Sequence, residues 1–330
     1  MNTQIVFSIN FIYPVGRNVN NLQHYFEKEF RCQEQHNLKF RDISIFRKFV
    51  PLQNSIARMS SKKIIKLDVL QVLRSKAPKA KIPGFIINYL RRIIHEKQFN
   101  KLFEDTAGMK NLEFIEASLN MFDVTTSLEQ KENLPSTNGR YIFACNHPLG
   151  GLDGIILGLI IGREYDGKVR LFVNDLLMYV EPLREMFIPA NKLGSQGRTN
   201  AETLNKIFES DNHLITFPSG MCSRKMNGKI VDMDWKKNFI SKAIQYKRDV
   251  VPIYFEGKNS NFFYNLAKLR KFLGIKFNIE MLYLADEMFK QKGNHFTIRV
   301  GKPISWESFD KSKRQTQWAQ WVKDKVYQMK

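Results

Sequence analysis

The chain reads Cys-Asn-His-Pro-Leu-Gly-Gly-Leu-Asp-Gly from Cys145 to Gly154, and this stretch separates two apolar runs. The run before it, 141–145, is short and predicts a buried strand that ends where the proline and the two glycines prevent its continuation. The run after it, 154–161, is almost wholly apolar and predicts a buried helix. Strand, turn and helix in this order place His147 at the carboxyl end of a strand, where open α/β sheets bind their ligands.

His147 and Asp153 are the chemically informative pair of this stretch. Asp153 is predicted at or near the N-terminus of the helix, where the helix dipole stabilises a carboxylate. A carboxylate that accepts a hydrogen bond from Nδ1 of His147 leaves Nε2 free to take a proton from a hydroxyl group. The alternative is a strand-end histidine beside an ordinary capping aspartate, and the pair alone does not decide between the two.

Cys145 is a second candidate nucleophile. It lies two residues before His147 on the same face of the predicted strand, so a thiolate mechanism has to be weighed. Nothing nearby in the sequence would lower the pKa of the thiol, and we therefore expect no thiolate.

The charge balance is unusual for a chain of ordinary composition. Its 330 residues suffice for a large core, and 43% hydrophobic and 25% charged residues are typical of globular proteins. The 52 lysines and arginines exceed the 32 acidic residues and give a formal net charge of +20, which predicts an anionic partner. Nucleic acid, an acidic membrane surface, a phosphorylated small molecule and an acidic carrier protein all have that charge. The sequence lacks zinc-finger spacing, an aromatic RNA-binding signature and a helix-turn-helix, so no nucleic acid is expected.

Cysteine usage and hydropathy indicate the cellular compartment and the relation of the chain to a membrane. The three cysteines are too few and too scattered for a disulfide framework or a metal site, so we expect a reducing compartment and no metal. No apolar stretch reaches the roughly 18–20 residues that a spanning helix needs, and residues 1–15 lack the pattern of a signal peptide. The expectation is a cytoplasmic protein that is soluble or peripheral on a membrane.

The sequence is divided here into three segments. Residues 1–58 mix aromatic and charged side chains without periodicity and are interpreted as a poorly defined extension. Residues 59–135 are predicted as a helical N-terminal region, and 136–330 as the α/β domain. Within the helical region, apolar residues at three- and four-residue spacing over 82–94 predict an amphipathic helix. Packing on the core is the favoured interpretation, and an interfacial helix with its arginines among lipid head groups is the alternative.

Alternating strands and helices after residue 136 define the fold class. Strands are predicted at 171–173, 214–217, 250–255 and 296–300, and helices at 175–187, 200–209, 235–246 and 261–273. Such alternation predicts an α/β fold with a central, mainly parallel sheet and helices on both faces. The strand entered through Pro252 is expected to contribute mainly to the core.

Two loops after predicted strands carry cations. The first holds Lys192 and Arg198 ahead of a helix, whose first backbone amides together with Arg198 would form an anion cradle, and a solvated surface loop is the alternative. In the second, 217–225, Arg224 can hold a phosphate or a carboxylate. Ser219 in this loop is not expected to act as a nucleophile, because the G-x-S-x-G motif is absent.

Taken in order, three blocks of the sequence resemble the glycerol-phosphate and lysophospholipid acyltransferase family, the PlsC-like enzymes. The blocks are Asn146-His147 through Asp153, Phe217-Pro218-Ser219-Gly220, and Val251-Pro252-Ile253. The resemblance covers roughly residues 136–305. It implies transfer of a fatty acyl group from a CoA or acyl-carrier-protein thioester to a lipid hydroxyl, with no metal and no other cofactor.

The same resemblance assigns roles to residues of this chain. His147 is the base, Asp153 is its partner, and the basic loop before Arg198 helps to hold an anionic head group. In the mechanism we expect, backbone amides near Gly150, Gly151 or Gly220 would stabilise the oxyanion. The residues expected to bind substrate are Asn146, Gly150, Gly151, Lys192, Arg198, Phe217, Pro218, Ser219, Gly220, Arg224, Val251 and Pro252.

Two departures from the family pattern point to one branch of it. The chain has five residues, 148–152, between histidine and aspartate where the family usually has four, and Ser219 replaces the usual glutamate of the second block. The loss of that carboxylate argues against glycerol 3-phosphate as acceptor. With residues 256–260, these blocks look like the hemolysin-like branch linked to bacterial ornithine and glycine lipid synthesis, whose members esterify the hydroxyl of a 3-hydroxyacyl amino acid.

The leading hypothesis is therefore a bacterial O-acyltransferase, peripheral on the inner face of the cell membrane. Its expected partners are a lyso-aminolipid acceptor, acyl-CoA or acyl carrier protein as donor, and an anionic membrane surface. One alternative is a 1-acylglycerol-3-phosphate acyltransferase of phospholipid synthesis. The other is a non-catalytic basic membrane-binding module on the same scaffold.

Overall fold

The computed structural model describes residues 66–76, 82–190, 198–275 and 278–330. All described residues belong to one compact unit, Lys63–Lys330. The extension predicted at 1–58 lies outside the described residues, and the division into three segments stays a prediction.

Helices and strands alternate along the described chain. The helices are α1 (Val69–Lys76), α2 (Gly84–Ile93), α3 (Glu96–Asp105), α4 (Asn111–Phe122), α5 (Leu152–Glu164), α6 (Arg198–Glu209), α7 (Asn238–Tyr246), α8 (Asn261–Phe272), α9 (Leu284–Phe289) and α10 (Gln315–Gln328). The strands are β1 (Thr125–Glu129), β2 (Tyr141–Cys145), β3 (Val169–Val173), β4 (Phe187–Pro189), β5 (His213–Thr216), β6 (Arg224–Met226), β7 (Lys229–Val231), β8 (Asp249–Phe255) and β9 (His295–Val300).

Within the described ranges, seven strands form one sheet in the order β1-β9-β8-β2-β5-β3-β4. The strands from β8 to β4 run parallel, β9 is antiparallel to β8, and β1 is parallel to β9. The remaining two, β6 and β7, pair as an antiparallel hairpin. Because β2 lies between β5 and β8, the carboxyl ends of all three strands meet where His147 follows β2. The predicted α/β fold with a mainly parallel sheet is confirmed.

Helices cover both faces of the sheet, and β2 contributes to both cores. Phe143 and Cys145 pack on the side of α4 and α5, whereas Ile142 and Ala144 pack on the side of α6, α7 and α10. This is the alternation expected of a strand between two helical layers. The helix α5 is apolar almost all round because it lies between the sheet and α4.

The prediction of a helix at 175–187 is wrong. The structure has two short 3-10 helices there, Asp175–Tyr179 and Glu181–Leu183, followed by β4. Pro182 is accepted in the first turn of a short helix, but it lacks the amide that a continuous α-helix through this position would need. The segment pairs instead with β3, where the amide of Leu171 donates to the carbonyl of Met186 at 2.7 Å.

Two other features differ from the sequence-based expectation. The strand β1 lies ahead of residue 136, where only helices were predicted. Its half-exposed Thr-Thr-Ser-Leu-Glu sequence shows no apolar alternation, so the sequence did not indicate a strand. The helix α2 forms as predicted, but Ile93 is its buried residue, while Phe85, Ile86 and Tyr89 are exposed. The expected core packing is therefore wrong for these three side chains, while the other apolar residues of 82–94 are buried or half-buried. Among the described residues, no helix is long and apolar enough to cross a bilayer.

Candidate active site

Asn146 fixes the point where β2 ends. Its Nδ2 donates to the carbonyl of Phe255 at 2.9 Å, and its Oδ1 accepts the amide of Phe255 at 2.7 Å. The buried side chain therefore takes the place of a backbone partner for the last residue of β8. Asn146 orients the following turn in this structure, and its predicted contact with substrate stays a prediction.

The imidazole of His147 and the carboxylate of Asp153 face each other. Nδ1 of His147 lies 3.1 Å from Oδ2 of Asp153, which is fully buried at the start of α5. Because a carboxylate accepts hydrogen bonds, Nδ1 carries the proton and Nε2 is left as an acceptor. The side chain of His147 keeps 15% of its surface exposed, so a substrate hydroxyl can approach it. The predicted contact is confirmed.

The glycine pair accommodates five residues between His147 and Asp153. Gly150 has a φ of +92°, which favours glycine, and the turn brings the amides of Leu149 and Gly150 to 2.9 and 3.3 Å from Oδ2 of Asp153. Oδ1 accepts the amide of Gly154 at 2.9 Å. Three backbone amides and the imidazole therefore fix the orientation of the carboxylate.

The electrostatics favour a basic imidazole and a neutral thiol. Burial alone would lower the pKa of His147, but the charge of Asp153, the hydrogen bond to it and the charge of Asp232 outweigh burial and raise that pKa above its ordinary 6.5. Burial, together with repulsion from both aspartates, raises the pKa of the Cys145 thiol far above its usual range. The thiol stays protonated, which agrees with the expectation of no thiolate.

Asp232 is a second buried carboxylate at the site, and the sequence analysis missed it. Its Oδ1 accepts the amide of His147 at 3.2 Å and the hydroxyl of Ser223 at 2.6 Å. Its Oδ2 accepts the indole N–H of Trp235 at 2.9 Å. The amide of Ser223 in turn donates to the carbonyl of His147 at 2.7 Å. Asp232 and Ser223 together hold both backbone groups of His147, although no motif in 231–235 marks this role.

The loop after β5 lies beside His147, as the second block predicted. The ring of Phe217 stacks on the imidazole with 4.0 Å between ring centroids and an interplanar angle of 24°. The buried Ser219 donates its hydroxyl to the carbonyl of Met221 at 2.6 Å, so this hydroxyl shapes the loop. Gly220 has a φ of +70° and completes the turn. Phe217 reaches the catalytic pair, while Pro218 and Ser219 are buried in the loop.

Lys236 brings a cation to this loop and was also missed by the sequence analysis. A Cβ added to Gly220 would lie 2.8 Å from Nζ of Lys236, so the ammonium group lies directly against Gly220. The amide of Lys236 donates to the carbonyl of Pro218 at 3.0 Å, which ties the two segments together. In the part of the chain that the structure describes, the exposed Lys236 has no carboxylate partner.

Several predicted substrate-binding residues lie elsewhere. The buried Arg224 places Nη2 at 3.0 Å from Oε1 of Glu280 and donates from Nη1 to the carbonyl of Cys222 at 3.1 Å. This guanidinium is therefore engaged in a buried ion pair and is not presented to a ligand. Val251 and Pro252 are buried in β8, so their side chains belong to the core.

The side chains of the other two predicted cations, Lys192 and Arg198, are not described by the structure. Lys192 lies outside the described residues, and Arg198 is described only as the first residue of α6. Both roles stay predictions.

A polar cavity adjoins the turn from another side. Its volume is about 770 Å³, and Asn146 and Pro148, the two neighbours of His147, contribute to its wall. Its charged lining has more lysines than glutamates, so positive charge is in excess: Lys229, Lys258, Lys290 and Lys330 against Glu256 and Glu287. A cavity of this size is in the range of small-molecule sites.

Comparisons with known proteins agree with this chemistry. A family model described as acyltransferase matches residues 71–330. A lyso-glycine lipid O-acyltransferase of Phocaeicola vulgatus is 47% identical over 280 residues, covering 84% of this chain and 100% of the relative. A protein of the same name from Bacteroides thetaiotaomicron is 49% identical over 273 residues, covering 82% and 100%.

A solved structure also matches at low identity. It is the 1-acyl-sn-glycerophosphate (LPA) acyltransferase PlsC from Thermotoga maritima, which is 17% identical with a TM-score of 0.39, over 74% of this chain and 92% of that chain. The family model spans the paired His147 and Asp153 as well as the loop that stacks on the imidazole. A match of this extent, together with relatives that align along their full length, shows that the chain belongs to the acyltransferase family.

Proposed function

We propose that this acyltransferase moves a fatty acyl group from a thioester donor to the free hydroxyl of a lyso-aminolipid, of the N-(3-hydroxyacyl)glycine type. The observation that carries the chemistry is the contact between Nδ1 of His147 and Asp153, which leaves Nε2 to accept a proton. The acceptor class is supported by the two relatives, whose names state lyso-glycine lipid as substrate. The absence of a glutamate at Ser219 supports it further.

The proposed reaction needs no acyl-enzyme. Nε2 of His147 takes the hydroxyl proton while the hydroxyl oxygen attacks the thioester carbonyl carbon. The C–S bond of the resulting tetrahedral intermediate breaks, and the departing thiolate takes the proton back from the imidazolium. The products are the ester and a free thiol, and the imidazole is restored as a base.

The oxyanion of the intermediate needs hydrogen-bond donors. The amide of Gly150 already donates to Asp153, and that of Gly220 donates to the carbonyl of Phe217 at 2.9 Å. Among the described residues, the amide of Gly151 at the start of α5 has no such acceptor, and we assign it to the oxyanion. The helix dipole adds to this stabilisation.

Charge supports the proposed partners. Lys236 beside the catalytic loop suits the carboxylate of an acyl-glycine acceptor, and the lysines of the polar cavity suit a phosphorylated donor, either CoA or the prosthetic group of a carrier protein. The net charge of +20 suits attachment to the anionic inner face of the cell membrane.

The decisive experiment is transfer of a radiolabelled acyl group from acyl-CoA or acyl carrier protein to N-(3-hydroxyacyl)glycine. We expect His147→Ala to lower kcat by a factor on the order of 10²–10⁴. An unchanged thermal unfolding midpoint shows that the fold is retained. Near-normal activity of the variant would contradict the proposed base.

Parallel acceptors test the alternatives. Preference for 1-acylglycerol 3-phosphate would assign the enzyme to phospholipid synthesis. No thioester consumption with any hydroxylated lipid, together with vesicle binding, would favour the non-catalytic module.

A further inference from the structure

Large apolar side chains are exposed on two helices and on the short helix between them. We call them the exposed apolar face, and its members are Phe85, Ile86 and Tyr89 of α2, Phe262 and Leu269 of α8, Phe272, Leu273 and Ile275 at the end of α8, and Leu282 of the 3-10 helix Ile279–Tyr283. Phe272 is 88% exposed and Phe85 is 74% exposed. Exposure of this extent on several neighbouring side chains marks an interaction surface.

The half-buried Tyr283 links members of this face on the two helices through ring contacts. The ring of Tyr283 lies edge-on to Tyr89 with 6.5 Å between centroids and edge-on to Phe262 with 5.0 Å. The hydroxyl groups of Tyr89 and Tyr283 are 2.6 Å apart. Tyr283 therefore connects the exposed side of α2 with the exposed side of α8.

The helix α8 has two apolar sides. One side, with Phe263, Tyr264 and Ala267, is buried against the protein. On the other, Phe262, Leu269 and Phe272 recur at seven- and three-residue spacing, which keeps them on one exposed stripe. A helix whose second apolar side has no cover in the described structure is suited to a nonaqueous neighbour.

The charges around the exposed apolar face are mainly positive. Neither α2 nor α8 contains an aspartate or glutamate. Arg92 lies over the ring of Tyr89 at 5.5 Å, and Lys268 and Lys271 are exposed beside Leu269. Apolar and aromatic side chains bordered by cations match a bilayer interface that presents anionic head groups.

The exposed apolar face is connected to the catalytic turn. The 3-10 helix that carries Tyr283 continues directly into α9. Leu284 of α9 lies 2.8 Å from where a Cβ on Gly150 would be, and Met288 lies 3.9 Å from the equivalent position on Gly151. A membrane bound at this face would lie next to the turn that holds His147.

We propose that the exposed apolar face is the membrane-docking surface of the enzyme and that its partner is an anionic bilayer. Both helices enter the head-group region, α2 with Phe85 and Tyr89 and α8 with Leu269 and Phe272. The acceptor lipid then reaches His147 while its acyl chain stays in the bilayer, an advantage that rests on the proposed function. The bilayer is favoured over a protein partner because α2 and α8 contain no acidic residue and the surface lies beside the site of a lipid substrate.

The test measures vesicle binding and catalysis separately. The full chain is mixed with vesicles of phosphatidylcholine alone or with added phosphatidylglycerol, and binding is measured by flotation. The test variant combines Phe85→Ser and Phe272→Ser, which replaces two exposed side chains and should leave the unfolding midpoint unchanged. The matched control is Met226→Ser, which removes an exposed apolar side chain of β6 that is not part of the face.

We expect the double variant to partition about tenfold or more weakly onto anionic vesicles, since two aromatic side chains leave the interface. Met226→Ser should bind as the native chain does. Activity on acceptor dispersed in detergent should be unchanged in both variants, while activity on acceptor in vesicles should fall only in the double variant. Lys268→Gln with Lys271→Gln should weaken binding to phosphatidylglycerol vesicles and not to phosphatidylcholine alone.

Three results would overturn the docking surface. They are native vesicle binding by the double variant, no vesicle binding by the full native chain, and a native dimer in sedimentation that dissociates in the double variant, which would assign the face to a second copy. Failure of the proposed function has a different signature. In that case vesicle binding responds to the substitutions as stated, but detergent-dispersed acceptor is not acylated by the native chain.

Discussion

His147 lies between two buried carboxylates that act on it differently. Asp153 contacts Nδ1 of the imidazole, whereas Asp232 holds the backbone amide. Both charges raise the pKa of His147 against the effect of burial. The base must be neutral to accept a proton, so activity rises with pH as His147 loses its proton, and the midpoint of this acid limb lies above the ordinary pKa of histidine.

Asp232→Asn should move the acid limb of kcat/KM to lower pH. Removal of one negative charge lowers the pKa of His147, so the imidazole becomes neutral at a lower pH. The measurement is the pH dependence of kcat/KM for the native chain and the variant. Asp234→Asn, the same change at an exposed position two residues away, is the matched control and should leave the limb unchanged. A variant that loses stability while its limb stays in place would show that Asp232 has only a structural role.

The catalytic pair could be predicted from the sequence because His147 and Asp153 are close along the chain. Asp232 could not, because its contact with His147 joins residues 85 positions apart. Arg224 shows the opposite error. Its position in a loop after a predicted strand suggested an anion site, but only the fold shows that its guanidinium group already pairs with Glu280.

The turn between β2 and α5 depends on one of its two glycines. At Gly150, φ is +92° and a Cβ would lie 2.8 Å from Leu284, whereas Gly151 has a φ of −109° and its nearest neighbour, Met288, is 3.9 Å away. We expect Gly150→Ala to destabilise the fold by about 1–3 kcal/mol and to reduce kcat, since the turn aligns Asp153 with His147. Gly151→Ala should have little effect on either. Urea unfolding and the transfer assay measure both, and equal effects at the two positions would contradict the assigned strain.

The loop Phe217–Gly220 and the segment before α7 meet at Lys236, which makes acceptor binding testable at this junction. Lys236→Gln should raise KM for N-(3-hydroxyacyl)glycine and leave kcat nearly unchanged, because the ammonium group attracts the ground-state carboxylate. The methyl ester of the same acceptor should show no difference between variant and native chain. The neighbouring Lys237→Gln is the matched control. An equal rise in KM for acid and ester would exclude recognition of the carboxylate by Lys236.

The buried strands of the sheet could be predicted from the sequence, and the more exposed or shorter edge strands could not. The inner strands β2, β5 and β8 are mostly apolar and almost wholly buried, and their order along the chain with intervening helices already indicates a parallel sheet. The edge strands β1 and β4 could not be predicted, since β1 is half exposed and β4 has three residues. Their conformation is fixed by pairing with β9 and β3, which sequence periodicity does not record.

At the scale of the whole molecule, the lysines and arginines fall into two groups, exposed and buried, which composition alone could not distinguish. Some cations are exposed at the exposed apolar face and the polar cavity, where they remain available to an anionic partner. Others are buried, and Arg224 and Arg270 both pair with Glu280, at 3.0 and 2.9 Å. The net charge predicted an anionic partner, but only the fold shows which cations are exposed and can bind that partner.

The same buried cluster connects three parts of the molecule and should determine much of their stability. Arg224 begins β6, Arg270 belongs to α8, and Glu280 lies in the 3-10 helix that carries part of the exposed apolar face. Glu280→Gln would leave two buried guanidinium groups without a counter-charge, and we expect it to lower the free energy of unfolding by about 3–5 kcal/mol. Glu181→Gln, which removes the same charge from an exposed pair with Arg184, should change stability little. Urea denaturation of the three chains measures the difference. Equal stability of the Glu280 and Glu181 variants would show that the buried pairs do not hold α8 and the 3-10 helix in place, and the docking surface would then need another support.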